Sequence, residues 1–224
     1  MSASSERLPI VVLLSGRGSN LRAIDERIAA GVLPVDIRAV LSDREDAAGL
    51  EWAAHRGYRA RALSPRGFGD RAGFDLALGR AIDEYRPGLV VLAGFMRILG
   101  PELVDPYAGR MLNIHPSLLP RHRGLHTHRR VLAAGEREHG ASVHFVTREL
   151  DGGPVVLQAR VPVLPGDDEA TLAARVLMQE HRIYPLAIRW FAEGRLRYES
   201  RAARFDGRRL DSPLIANGDA DAAA

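Results

Sequence analysis

Apolar residues along this chain fall into short unbroken runs, separated by stretches where they recur every three or four positions. "LPIVVLLS" (Leu8–Ser15), "VDIRAVLS" (Val35–Ser42) and "GLVVLAGF" (Gly88–Phe95) are rich in branched residues and read as buried strands. Between them, "LRAIDERIAAG" (Leu21–Gly31) sets Leu21, Ile24 and Ile28 on one helical face and stops at glycine. "DAAGLEWAAHRG" (Asp46–Gly57) reads as a second helix, "YRARAL" as a weaker strand, and a third helix is predicted around Arg71–Tyr85. "PELVDPY" is a short helix with Pro101 in its first turn, and "RMLNIH" is a fifth strand. After "THRRVLAAG" (Thr127–Gly135), a short helix, the period changes. "GASVHFVT" (Gly140–Thr147) and "GPVVLQARVPV" (Gly153–Val163) alternate, as half-exposed strands do, with "LDGG" as the turn between them. The longest helix is predicted over Asp168–Glu193, opened by acidic residues, closed by Gly194 and kinked at Pro185. "DSPLIANGDADAAA" reads as a frayed tail.

Strand–helix alternation over residues 8–115 predicts an α/β fold: a Rossmann-like, mostly parallel sheet with helices on both faces, then an antiparallel C-terminal part. At 224 residues the chain suits one domain over 1–210, with halves 1–110 and 111–210 and a disordered tail at 211–224. Ligands of such sheets sit beyond the C-terminal strand ends. "SGRGSN" and "NIHP" each follow a strand end, so both are expected on that edge.

Composition removes several chemistries. There is no cysteine, hence no disulfide, thiolate zinc site or cysteine nucleophile, which fits a reducing compartment. All 31 basic residues are arginine, so there is no Schiff-base lysine and no P-loop lysine. The run "IVVLL" is too short to span a bilayer and lacks a secretory cleavage pattern, so the chain reads as cytoplasmic, with no membrane partner. The pI of 9.8 reflects arginine content, and a net charge of +3 does not call for a nucleic-acid partner.

Four constellations carry chemistry. In "SGRGSN" (Ser15–Asn20) the glycines permit a tight turn into a helix whose free amides and dipole favour an anion. Ser19 or Asn20 can cap that helix or donate to a phosphate. The loop lacks the third glycine of a dinucleotide fingerprint, since Leu21 stands there; a monophosphate site is favoured over a nicotinamide cofactor with Asp43 on its ribose. Asn113 and His115 lie two apart on a strand and face one side, so an amide N–H for an oxyanion and an imidazole for a proton converge. Asp151 in "ELDGGPV" is either a turn residue or a partner for His115, and spacing leaves both open. His122, His126 and His128 match no zinc pattern and read, with the neighbouring arginines, as a solvated basic loop; no metal is expected.

Taken together, "VVLLSGRGSNL", "VVLAGFMRIL", "LNIHPSLLP", "GLHTH", "HGASVHFV", "LDGGPV" and "QEHRIYP" closely resemble the folate-dependent phosphoribosylglycinamide formyltransferases of purine synthesis. The resemblance runs from about Ile10 to about Leu210. "NIHPSLLP" with "LDGGP" is shared by the wider formyl-tetrahydrofolate enzymes, and "SGRGSN" points to the glycinamide ribonucleotide branch. It implies that Asn113, His115 and Asp151 are catalytic, with Asp151 favouring the charged imidazole and relaying protons. It implies ribonucleotide contacts at Gly18, Ser19 and Asn20 for phosphate, and at Leu177, Met178, Gln179 and Glu180 for ribose, with Glu180 on the hydroxyls. Folate contacts carry to Arg71, to Met96, Arg97, Ile98 and Leu99, to Asn113, and to Thr147, Arg148, Glu149, Leu150 and Asp151. Arg17 departs from the residue expected inside the phosphate loop. The implied co-substrate is 10-formyltetrahydrofolate, used without metal; the implied partners are small molecules, and the chain is expected to be a monomer or homodimer. Two rivals are a formyltetrahydrofolate hydrolase, which resembles a chain with a further N-terminal domain not expected here because the first strand begins by residue 8, and a non-catalytic nucleotide-binding protein.

Overall fold

The computed structural model describes residues 7–216. Where the pattern implies one domain in two halves, the chain divides into two compact units between Leu112 and Asn113.

In the first unit, β1 (Leu8–Leu14), β2 (Val35–Ser42), β3 (Ala60–Ala62) and β4 (Leu89–Leu92) form a sheet in the order β4-β1-β2-β3. The pairs β1–β2, β1–β4 and β2–β3 are all parallel. Helices α1 (Ser19–Ala29), α2 (Ala48–His55), α3 (Arg71–Asp83) and α4 (Pro101–Val104) connect or follow them. Ile10 to Leu14 are fully buried. At roughly 1.5–3 kcal/mol for each such side chain removed from water, β1 is a rigid mount for the loop that leaves its end.

In the second unit, β5 (Met111–His115) starts just before the division and continues into it, and the strand order is β11-β7-β6-β5. Strands β6 (Glu138–Phe145) and β7 (Val155–Pro162) are antiparallel, but they are not the half-exposed strands expected: His139–Phe145 and Val156–Ala159 are buried without alternation, since both faces of the sheet are covered there. Helix α5 (Thr127–Ala133) is short; α6 (Glu169–Ala192) runs through Pro185 as one element and is capped by Asp168, which accepts from the Thr171 N–H at 2.7 Å. Three strands absent from the sequence reading, β8 (Leu196–Glu199), β9 (Ala202–Phe205) and β10 (Arg208–Arg209), make a small antiparallel sheet. Trp190 of α6 packs on Phe205 with ring centroids 4.6 Å apart, which anchors that sheet.

The expected tail is ordered in part. Strand β11 (Leu214–Ile215) pairs in parallel with β7, because an apolar Pro-Leu-Ile stretch meets an open sheet edge there. The rest of that expectation, at 217–224, lies outside the described residues.

The exit from β5 is held by buried hydrogen bonds. The Ser142 hydroxyl donates to the Ser117 carbonyl at 2.6 Å and accepts from the Leu119 N–H at 3.0 Å. Gln158 donates to the Leu119 carbonyl and to Ser142 Oγ, both at 2.8 Å. A buried polar network satisfied in this way fixes one backbone path, since breaking any bond strands its partner.

Candidate active site

Asn113 and His115 share one side of β5, as residues two apart must. His115 is 6% exposed. Its Nε2 lies 3.0 Å from the carbonyl of His122 and its Nδ1 3.5 Å from Asp151 Oδ2. The long β6–β7 connection thus brings Asp151 to the imidazole, which spacing alone left open.

Two local features place Asp151. A Cβ on Gly153 would fall 1.8 Å from the Phe145 carbonyl oxygen, so only glycine lets the connection fold back onto the end of β6. Asp151 itself adopts φ +47°, a left-handed conformation that Asp tolerates better than most residues. The Gly124 N–H donates to Asp151 Oδ2 at 2.8 Å, which holds the carboxylate in that pose.

His144 is the site residue the sequence reading gave no role. Its Nε2 is 3.0 Å from Asn113 Nδ2 and 3.7 Å from Asp151 Oδ1, and its Nδ1 is 3.0 Å from the Phe145 carbonyl. One arrangement satisfies these contacts: Nδ1–H donates to the carbonyl, and bare Nε2 accepts from the Asn113 amide. Burial pushes the His144 pKa down and so keeps the ring neutral, as that arrangement requires. One Asn113 amide proton is thereby held and the group is oriented; the second is left for another acceptor. The β6–β7 register slips between Val143 and His144, and such a bulge re-aims the side chain that follows. A buried histidine on a strand that also buries His139 and Ser142 was the available signal, and on its own it reads as a satisfied core polar.

The other histidines correct the expectation of a solvated loop. His122 Nε2 is 2.5 Å from Glu136 Oε1, and His128 Nδ1 is 3.0 Å from His139 Nε2. Only His126 of the three is exposed. Among the described residues no group of three or more His, Cys, Asp or Glu is placed to hold a metal ion.

Burial, then the neighbouring His128, holds the pKa of His139 down to about 4, and burial likewise lowers that of His128. Unfolded histidine titrates near 6.5. Between these values the unfolded chain binds more protons, so stability is fully present above about pH 6.5 and is lost as pH falls toward 4. We expect the urea midpoint to drop across that window. His139→Gln should flatten the curve; an unchanged slope would show that His139 is not what is being titrated.

In the first unit, the loop after β1 starts α1 earlier than the pattern predicts. Gly18, at φ +73°, is the N-cap, and Ser19 and Asn20 stand in the first turn instead of capping it. The amides of a first turn have no acceptor within their own helix and suit an anion. Arg17 is exposed. A Cβ on Gly18 would come 2.7 Å from Gly49 Cα, and the Gly49 N–H donates to the Gly16 carbonyl at 2.9 Å. The loop therefore rests on α2, backbone against backbone. Ser15 ties it to the next segment: its N–H donates to the Gly94 carbonyl at 3.0 Å and its hydroxyl accepts from the Met96 N–H at 2.9 Å.

Met96 and Ile98 are 69% and 56% exposed, while Arg97 lies over the Phe74 ring at 4.8 Å. Buried Asp75 of α3 accepts from the Gly100 N–H at 2.6 Å and so holds the end of Met96–Leu99; exposed Arg71 opens the same helix. In the second unit, Thr147–Leu150 line the connection that ends at Asp151, with Leu150 exposed. Leu177–Glu180 form a stretch of α6 in which Glu180 is buried and Met178 exposed.

Residues 8–188 match the formyl transferase family. The phosphoribosylglycinamide formyltransferase of Escherichia coli (strain K12) is 56% identical over 201 residues, spanning 90% of this chain and 95% of that protein. Its counterpart in Haemophilus influenzae is 43% identical over 208 residues, spanning 93% and 98%. The solved phosphoribosylglycinamide formyltransferase of Coxiella burnetii, in complex with CHES, superposes with a TM-score of 0.90 at 50% identity and covers 95% of this chain and 100% of that one.

Proposed function

This chain belongs to the formyl transferase family, and we infer that it moves a formyl group from a formyl folate to the amine of phosphoribosylglycinamide in purine biosynthesis. The observation that carries the reading is the meeting of Asn113, His115 and Asp151 at one partly buried point, with His144 behind the amide. We take 10-formyltetrahydrofolate as the donor.

The amine attacks the formyl carbon, a C–N bond forms, and the carbonyl oxygen becomes an oxyanion. The Asn113 amide proton not given to His144 is the donor for that oxyanion, and it is already oriented. The attacking nitrogen, cationic after the bond forms, gives up one proton; when the intermediate collapses, the bond to the folate nitrogen breaks and that nitrogen takes one proton, so the exchange is neutral overall. His115 holds it. Nε2 is committed to the His122 carbonyl, so Nδ1, beside the Asp151 carboxylate, is the nitrogen from which a proton can leave. The carboxylate stabilises the imidazolium. The backbone of Gly18–Asn20 takes the ribonucleotide phosphate and Glu180 the ribose hydroxyls. Arg71, Met96–Leu99 and Thr147–Asp151 hold the folate. Fixing both substrates supplies much of the rate, and no metal is assigned a role.

Loss of formyl folate, followed by absorbance in excess EDTA, tests this reading. It should depend on added ribonucleotide and yield formylated ribonucleotide in equal amount. Deformylation to formate without ribonucleotide would identify a hydrolase, and a rate restored only by an added metal would overturn the metal-free scheme.

The loop assignment has its own test. Gly49→Ala puts a Cβ 2.8 Å from Gly18 Cα and 2.9 Å from Gly16 O, which displaces the loop from behind without touching a ligand. We expect ribonucleotide affinity to fall by roughly tenfold to 10²-fold, with folate affinity nearly intact. Overpacking should also lower stability by about 1–3 kcal/mol. Gly18→Val, which adds strain at φ +73°, should be worse. Calorimetric titration with each ligand separates the outcomes; equal losses in a folded variant would remove the phosphate from this loop.

A further inference from the structure

We propose that His122 and Glu136 form a positioning pair that decides which nitrogen of His115 faces Asp151. The inference rests on reading His115 as the proton carrier, but its test does not depend on turnover.

The His122 carbonyl lies 3.0 Å from His115 Nε2. A carbonyl only accepts, so this contact requires a proton on Nε2 and leaves neutral His115 with a bare Nδ1 toward Asp151. The tautomer of His115 therefore depends on where one peptide carbonyl sits. That peptide is in the left-handed region: His122 stands at φ +53°, a conformation uncommon outside glycine, so its place depends on what the side chain is tied to.

Glu136 is what holds it. Its Oε1 is 2.5 Å from His122 Nε2, and its Oε2 is 2.8 Å from Arg121 Nη1. The His122 and Glu136 side chains are 13% and 21% exposed, so the pair is shielded far better than a surface ion pair. The preceding peptide is braced as well: the Arg121 carbonyl accepts from the Ser117 hydroxyl at 2.7 Å, and the Arg121 N–H donates to the Leu118 carbonyl at 3.1 Å. Two residues on, the Gly124 N–H binds Asp151 Oδ2. One short backbone stretch thus holds both His115 and Asp151, and Glu136 holds that stretch by the ring in its middle. His122 and Glu136 touch no reacting atom; they act through His115.

The test is ¹⁵N NMR of the His115 ring in the full chain, without substrates and in alkaline buffer, assigned by its absence from His115→Asn. The wild type should show one protonated and one bare nitrogen, the Nε2–H tautomer. Glu136→Ala should give a mixture of tautomers and lower kcat on the order of tenfold, with both KM values little changed. Glu136→Gln keeps an oxygen that can accept from the His122 ring and should retain the wild-type pattern. If Glu136→Ala does not fold, His122→Asn gives the same readout, since asparagine tolerates positive φ while lacking the ring. Arg121→Ala removes the other partner of Glu136 and should leave the tautomer alone. An unchanged tautomer in folded Glu136→Ala or His122→Asn would overturn the proposal, whatever happens to activity. A chain that transfers no formyl group but shows the expected tautomers would refute the functional reading and leave the positioning pair standing.

Discussion

Asp151→Asn lowers kcat by on the order of 10²-fold or more while both substrates still bind. Asparagine preserves the shape and an oxygen for the Gly124 N–H, so the loop stays in place. The lost feature is the negative charge 3.5 Å from His115 Nδ1. Without it the imidazolium formed during the reaction loses the carboxylate beside it. The loss is felt when the proton leaves, so it falls on kcat and not on KM. His115 and Asp151 handle one proton, so His115→Asn with Asp151→Asn should be little worse than the worse single change. Near-normal kcat in Asp151→Asn would reduce Asp151 to the turn residue its Asp-Gly context permits.

Asn113→Ala should cost about 10²–10³ in kcat, the usual effect of removing one oxyanion donor. Affinity for the ribonucleotide should be unaffected and that for the folate changed modestly. His144 makes this prediction sharper. Its bare Nε2 takes one amide proton of Asn113, which fixes the direction of the other. His144→Leu removes the acceptor, leaves the amide free to turn, and should lower kcat by roughly tenfold. His144→Gln still offers an oxygen and should be milder. If Asn113→Ala and Asn113→Ala with His144→Leu are equally slow, the histidine acts through the amide. If the losses multiply, His144 has a separate role.

Much of this could be read from the chain, and the reasons for the exceptions are physical. The buried runs Leu8–Ser15 and Val35–Ser42 left no other reading than strands of a parallel sheet. Asn113 and His115 share a side because strand geometry gives residues two apart no choice. Asp151 is different: its approach to His115 depends on glycine at 153 and on φ +47° at Asp151, which spacing does not encode, so only resemblance joined them beforehand. His144 was hidden by a bulge, because a register slip is decided by pairing and not by the alternation of one strand. Strands β8 to β10 escaped because arginines occupy their outward positions and leave only Leu196, Ala202 and Ala203 buried to mark the pattern. The start of α1 was placed too late since Asn20 is a good cap by type, whereas left-handed Gly18 takes that place in fact.

Single-turnover transfer of a labelled formyl group, measured side by side in the wild type and in His115→Ala, bears most directly on formyl transfer through the Asn113–His115–Asp151 cluster. The expected result is label on the ribonucleotide amine in both, about 10²–10⁴ more slowly in the variant, with both substrates bound at near wild-type affinity. Equal rates in the two enzymes, or label appearing as formate, would contradict it.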